Sequence, residues 1–289
     1  MPLVSLLFHD VYRGEPRESG FDSAAADRYK LSIPEFETQL SGVARVRSEP
    51  PVLASDLIAR EAQEVAQPFR AASAGLKPCA TSDLPYLITV DDGGLSYYTV
   101  VADRLERLGW RGHCFVTTNC IGQRGFLTVR QIRELDARGH IIGSHSASHP
   151  TRFSACSIPQ MRREWTRSRE ALQDVLGHPV NVASVPGGYF SAVVARTAAD
   201  AGLRVLCTSE PTTRTRTHHG CFVIGRYTVR ARCRDDFASR IVLPPPHTRA
   251  AAWAGWNAKK VDKPLLGSTY ARVADWLLAT RSGTLKSEV

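Results

Sequence analysis

The chain has 289 residues, 43% of them apolar and 22% charged, enough to bury a full core and too polar for a membrane-spanning or fibrous class. Lysine and arginine number 37 against 28 acidic residues, and the net charge of +9 favours anionic partners such as acidic glycans or phospholipid headgroups. The arginines are scattered, in clusters no larger than Arg162-Arg163 or Arg214-Thr215-Arg216, so no nucleic-acid partner is expected.

In chain order, Leu3 to Phe8 predicts a first strand ending at His9-Asp10. With no basic segment before it and no small-residue cleavage site after it, this run reads as a strand instead of a signal peptide, and the expected location is cytoplasmic. Residues 12–30 are polar and predict a loop over the strand rim. Ser32 to Val46 predict a helix capped by Ser32, with Pro34 in its first turn and Phe36, Leu40 and Val43 on one face. Residues 48–83 read as a variable insertion, with a helix available from Leu53 to Val65. Seven cysteines, odd in number and without a C-x-x-C pair, point away from a disulfide framework and a zinc ribbon.

Leu87 to Val90 is a short buried strand running into Asp91-Asp92-Gly93-Gly94. A regular alternation follows: a helix from Ser96 to Leu108, a strand from Gly112 to Val116, and a helix opened by the capping box Thr128-Val-Arg-Gln131. Ile141 to Gly143 is a strand ending at His145, and a second capping box, Ser157-Ile-Pro-Gln160, opens a helix running to Gly177. Val180 to Val185 is a strand ending at Pro186-Gly187-Gly188, and Ser191 to Ala201 is a helix. Strands at Leu203 to Cys207 and Phe222 to Val229 and a short helix at Asp235 to Leu243 complete the series. Such alternation predicts one α/β domain over 1–245, either a barrel or a doubly wound sheet. Residues 246–289 form a tail whose helix, about 268–280, packs outside.

Adjacent carboxylates at a strand end are by themselves either a turn or a site. His145 and His149 are four apart but follow a strand and precede Pro150, which places them on a loop instead of one helix face. Two imidazoles and one carboxylate can hold a divalent cation and leave positions open for water and substrate. The second carboxylate can then accept a proton. On the residues alone, two loop histidines without a metal remain the alternative. No G-x-S-x-G, P-loop or G-x-G-x-x-G occurs.

Thr-Val-Asp-Asp-Gly, then His-Ser-x-x-His, then Val185-Pro186-Gly187-Gly188-Tyr189 resemble the successive motifs of polysaccharide deacetylases with the NodB homology domain, carbohydrate esterase family 4, over roughly residues 85–230. The resemblance implies a distorted (β/α)7 barrel and a metal-dependent hydrolase that removes N-acetyl groups from a polysaccharide, an oligosaccharide or a lipid-linked precursor. It implies Asp91 as catalytic base and Asp92, His145 and His149 as metal ligands, for zinc first, with cobalt, nickel or manganese as alternatives. Gly187, Tyr189 and Arg226 form the implied oxyanion and substrate set. The family's third motif usually opens with an arginine that orients the base; Ser184 stands there, and Arg226 is the substitute candidate. The family's late histidine motif is missing after residue 230. Leu6-Leu7-Phe8-His9-Asp10-Val11 resembles instead the opening strand of the permuted branch that includes poly-β-1,6-N-acetylglucosamine deacetylases, which implies His9 as general acid. The alternatives within this resemblance are an amidohydrolase acting on a small non-sugar amide or imide and a non-catalytic glycan-binding relative. The positive charge suits a peripheral membrane surface or a lipid-linked substrate. Oligomeric state has no sequence signal.

Overall fold

The structure, a computed structural model, describes residues 2–59, 84–243 and 248–257. Its strands are β1 (Val4–Phe8), β2 (Val11–Tyr12), β3 (Leu31–Ser32), β4 (Tyr86–Val90), β5 (His113–Val116), β6 (Ile141–Ser144), β7 (Val182–Ser184), β8 (Val205–Cys207), β9 (Arg216–His218), β10 (Cys221–Ile224) and β11 (Tyr227–Thr228). One sheet has the order β11-β1-β4-β5-β6-β7-β8-β10-β9, parallel throughout except at the β9 edge. β1 and β4 are buried at every residue, as parallel strands covered on both faces must be.

The expected continuous strand Phe222–Val229 is two strands. β10 pairs with β8 near one end of the sheet, while β11 pairs with β1 at the other, and only Gly225 and Arg226 lie between them. That short link forces the two ends of the sheet together. With β10 and β11 taken as one bent strand, the sheet curls into a ring of seven parallel strands. Glycine is required at the link, because a Cβ on Gly225 would stand 2.3 Å from the Glu210 carbonyl oxygen. Residues 209–214 run across the seam below it: Leu3 N donates to Thr213 O at 2.9 Å, and Pro2 bridges to Arg214.

The helices pack outside this ring. Ser32 and Thr128 form reciprocal capping boxes with Glu35 and Gln131. Ser157 forms only half of one, since its hydroxyl accepts from Gln160 N but the Gln160 side chain makes no return bond. The expected helix Ser96–Leu108 begins as a π-turn at Tyr97–Val101, where Ala102 N reaches back to Tyr97 O, and becomes α-helical at Ala102–Arg107. The wider turn buries Tyr97, Val100 and Val101 together and lets the Tyr97 hydroxyl meet His140 Nδ1 at 2.9 Å. Residues 12–30 are more structured than a plain loop, with a 3-10 turn at Pro16–Glu18 and a helical turn at Ala24–Asp27 between β2 and β3. Of the 53–65 helix, residues 54–59 are helical; its remainder, the rest of the insertion to residue 83, and the 268–280 helix lie outside the described residues. No helix among the described residues is long and apolar enough to cross a membrane.

Candidate active site

Parallel strands in register end at one rim, and the side chains that follow those ends converge there. Phe8 pairs with Val90, which brings His9 beside Asp91; β6 delivers His145 and β7 delivers Ser184. His145 N donates to Val116 O at 2.9 Å and its Nδ1 meets the Ser184 carbonyl at 3.0 Å. That carbonyl can only accept, so Nδ1 carries a proton, and in the neutral ring the lone pair is on Nε2. Nε2 lies 3.5 Å from Asp92 Oδ1, and His149 Nε2 lies 3.5 Å from the same oxygen. One donor atom from each of Asp92, His145 and His149 falls within 4.8 Å of the others.

Three non-glycine residues of this cluster have left-handed backbones: Asp92 (φ 76), Ser146 (φ 63) and His149 (φ 54). Such conformations cost about 1–3 kcal/mol each and persist where the surroundings over-determine them. The anchor is Glu164, on the helix Ile158–Leu176. Its Oε2 accepts from Ala147 N (3.0 Å) and Ser148 N (2.8 Å), and its Oε1 from Ser148 Oγ (2.7 Å). Ser146 Oγ accepts from His149 N at 3.0 Å.

Asp91 is held from beneath. Arg226, fully buried, uses all five of its N–H groups. Nε donates to Thr208 O at 2.8 Å; Nη1 donates to Asp91 Oδ1 at 2.7 Å and Thr89 Oγ1 at 3.2 Å; Nη2 donates to Asp91 Oδ2 at 2.8 Å and Ser184 Oγ at 2.7 Å. Ser184 Oγ in turn donates to Asp91 Oδ2 at 3.0 Å. Oδ2 is thereby saturated, while Oδ1 keeps one lone pair.

The electrostatics follow from this packing. Burial pushes the Asp91 pKa up, but the Arg226 guanidinium, helped by His145, outweighs it and holds the carboxyl well below the usual carboxylate range. Asp92 is also lowered, burial being overcome by the surrounding histidines. Burial disfavours protonation of His145, yet the two aspartates hold its pKa above the ordinary value. His149 is drawn down to about 4 by burial and by His145, and His9 is lowered by burial against the pull of both aspartates. A lowered His149 offers the neutral imidazole that a metal needs. The donor set of two imidazoles and one carboxylate, with the His145 tautomer fixed outward, fits a divalent metal.

His9 closes one side, its ring 4.9 Å from that of Tyr29 and its Nδ1 buried without a hydrogen-bond partner. The 12–30 segment does cover the rim, with Phe21 packed 4.7 Å from the His149 ring. It is pinned by Asp10, whose Oδ1 accepts from Ser19 Oγ (2.6 Å) and Ser96 Oγ (2.8 Å). Burial, with Asp92 adding, pushes the Asp10 pKa up to about 6. On the far side Gly187 has φ 71, and a Cβ there would stand 2.9 Å from Thr151 O. Tyr189 follows, and Arg226 is the only member of the sequence-derived oxyanion and substrate set that lies beneath the rim, against Asp91, instead of on it.

The curled parallel sheet, whose rim joins an Asp-His-His cluster to an arginine-held aspartate, has the architecture of a NodB-type barrel. Residues 80–206 match the family model described as polysaccharide deacetylase. A curated relative, the putative polysaccharide deacetylase YxkH of Bacillus subtilis, is 26% identical over 125 residues, which is 43% of this chain and 44% of that protein. The chain thus matches less than half the length of that relative. Among solved structures, IcaB from Ammonifex degensii superposes with a TM-score of 0.59 at 20% identity, covering 88% of this chain and 97% of that one. The Streptococcus pyogenes deacetylase PplD, in complex with acetate, gives 0.57 at 18% identity over 79% and 93% of the two chains. BC0361, a polysaccharide deacetylase from Bacillus cereus, gives 0.62 at 16% over 83% and 69%. At these identities the solved structures speak for the fold.

Asp91, Asp92, His145, His149 and His9 come together from three strand ends and one loop. Sequence reasoning missed Glu164, whose carboxylate reaches a loop 16 and 17 residues away. It also treated Ser184 only as a missing arginine, whereas its hydroxyl bridges Asp91 and Arg226 and its carbonyl orients His145. The available signal was position: Ser184 ends its strand level with His145 after the neighbouring one.

Proposed function

We propose that this chain is a metal-dependent hydrolase that removes N-acetyl groups from sugar units of a glycan, with zinc as the metal. The observation that carries the reading is the Asp91–Arg226–Ser184 assembly standing against the Asp92–His145–His149 cluster. Asp92, His145 and His149 hold the metal, which when bound supplies Lewis acidity toward the amide carbonyl and an acidified water. Asp91 receives the proton of the attacking water at Oδ1, the oxygen with a lone pair to spare. Its low pKa keeps it ionised until the water attacks, and Arg226 holds it in place. Gly187, left-handed at φ 71, is the backbone N–H assigned to the developing oxyanion. His9, whose pKa is lowered by burial, takes up the proton that Asp91 received from water and delivers it to the departing amine, which returns Asp91 to its carboxylate form. Tyr189 contacts the sugar.

The net charge of +9 suits a glycan presented on a phosphate-bearing or lipid carrier in the cytoplasm. Recovery of the protein outside the cytoplasm would remove that part of the reading. The central test is acetate release from N-acetylated oligosaccharides, with and without chelator, beside a panel of cyclic imides. Asp91→Asn is expected to lose at least about a thousandfold in kcat while retaining metal. Near wild-type turnover in that variant under metal-replete conditions would sink the base assignment.

A further inference from the structure

The two imidazoles of the Asp92–His145–His149 cluster are held in different ways. His145 donates from Nδ1 to the Ser184 carbonyl, which fixes its ring as well as its tautomer. His149 has no such support: Ser146 Oγ fixes only its backbone N–H, and among the described residues no hydrogen bond reaches its Nδ1. Its side chain is 25% exposed, so burial alone does not immobilise it. Rotation about its side-chain bonds would carry Nε2 away from Asp92 Oδ1, which it faces at 3.5 Å. What lies against that ring is Phe21, with ring centres 4.7 Å apart and planes inclined by 42°. Phe126, only 8% exposed, backs Phe21 edge-on at 5.1 Å.

Phe21 belongs to the 12–30 segment, whose backbone is anchored on both sides of it. Before it, Ser19 Oγ donates to Asp10 Oδ1 and accepts from Ser96 N at 2.7 Å, and Gly20 N donates to Gly125 O at 2.8 Å. Gly20 is left-handed, and a Cβ there would stand 1.8 Å from Asp10 Oδ2, so the fit against Asp10 needs glycine. Behind it, Lys30 is 1% exposed, and its Nζ donates to the carbonyls of Pro16 and Phe21, both at 2.7 Å, beside Asp27 Oδ1 at 3.4 Å. An ammonium has three N–H groups, and each has an acceptor here. Burying that charge is unfavourable unless it is so satisfied, and the bond to the Phe21 carbonyl is part of what satisfies it. The aromatic ring on His149 is therefore carried by a braced backbone and not by a loose loop.

We propose that Phe21 is a positioning residue for the metal, its ring doing for His149 by packing what the Ser184 carbonyl does for His145 by hydrogen bonding. This rests on the reading of Asp92, His145 and His149 as metal ligands. The coupling runs both ways, because a segment that orients a ligand is itself ordered when metal fixes that ligand. The test takes the full chain stripped of metal, titrates it with zinc in a calorimeter, and follows hydrogen exchange over residues 12–30 by mass spectrometry with and without zinc. Phe21→Ala should weaken zinc binding about tenfold or more, as for other groups that support ligands from behind, while Phe21→Tyr, which keeps the ring, should stay within about twofold of wild type. Zinc should slow exchange over 12–30 in the wild type by about tenfold, and by less than about twofold in Phe21→Ala. A Phe21→Ala affinity within about twofold of wild type, equal weakening in Phe21→Tyr, or exchange over 12–30 that ignores zinc in the wild type overturns the proposal while leaving the metal reading in place. A wild-type chain that takes up no zinc at all removes the metal reading, and the proposal with it.

Discussion

Arg226 is a buried cation with every donor assigned, and its worth is therefore conditional. A charge pair taken out of water contributes little net stability when intact, but removing one partner leaves the other buried and uncompensated. Lysine in its place has the charge without the fork and at most three donors for five acceptor positions. Arg226→Lys is thus expected to lower stability by about 3 kcal/mol, read from urea denaturation, and to reduce acetate release by more than about a hundredfold. Ser184→Ala removes one hydroxyl that serves both partners, and its expected cost is smaller, about 1–2 kcal/mol. If Arg226→Lys proved as stable and active as wild type, the five-bond assembly would not be what orients Asp91. The pairing was open in the sequence because the guanidinium and carboxylate lie 135 positions apart. Read as part of a continuous strand at Phe222–Val229, Arg226 could equally have pointed away from the ring.

At the scale of elements, strand ends were the legible part. Apolar runs that stop at Phe8, Val90 and Ser144 gave the positions of His9, Asp91 and His145, because a side chain just beyond a parallel strand has only the rim to occupy. What a run of apolar residues does not encode is the conformation of the loop that follows. His145 to His149 holds two left-handed residues, and the force that keeps them there comes from Glu164 on a separate helix. The amphipathic spacing of 96–108 was likewise compatible with a regular α-helix; the π-turn arises from burying Tyr97 against His140, a tertiary demand. Glu164 therefore carries the prediction at this scale. Glu164→Gln replaces one acceptor oxygen by an amide that faces backbone donors, so the ligand loop loses its clamp. Metal affinity should fall by about tenfold or more by calorimetric titration, as for other groups that support ligands from behind. The denaturation midpoint in chelator should move by no more than about 1 kcal/mol, because the loop lies at the rim and not in the core. Unchanged metal affinity would mean that the loop holds its shape without the clamp.

For the whole molecule, closure of the ring and support of the site are one problem, solved at Gly225-Arg226. β10 and β11 belong to opposite ends of the sheet, so the two residues joining them make the connection that closes it, and the second is the one that holds Asp91. The 209–214 segment passes so close beneath that a Cβ at 225 would meet the Glu210 carbonyl at 2.3 Å and the Thr212 side chain at 2.5 Å. Two of the three nearest atoms are backbone carbonyl oxygens, Glu210 O and Thr212 O, so either the segment or the link must move. Gly225→Ala is expected to cost about 1–3 kcal/mol in denaturant unfolding, the range for overpacking a closed site. Because the displacement passes directly into Arg226, acetate release should fall more steeply than stability accounts for, by at least about tenfold in kcat at temperatures where the variant remains folded. Gly255→Ala is the matched control: nothing lies within 4 Å of that position, and its effect should stay within about 0.5 kcal/mol with kcat unchanged. Should Gly225→Ala lose stability yet keep full kcat, the seam would close the ring without governing the aspartate, and the orientation of Asp91 would have to come from Ser184 alone.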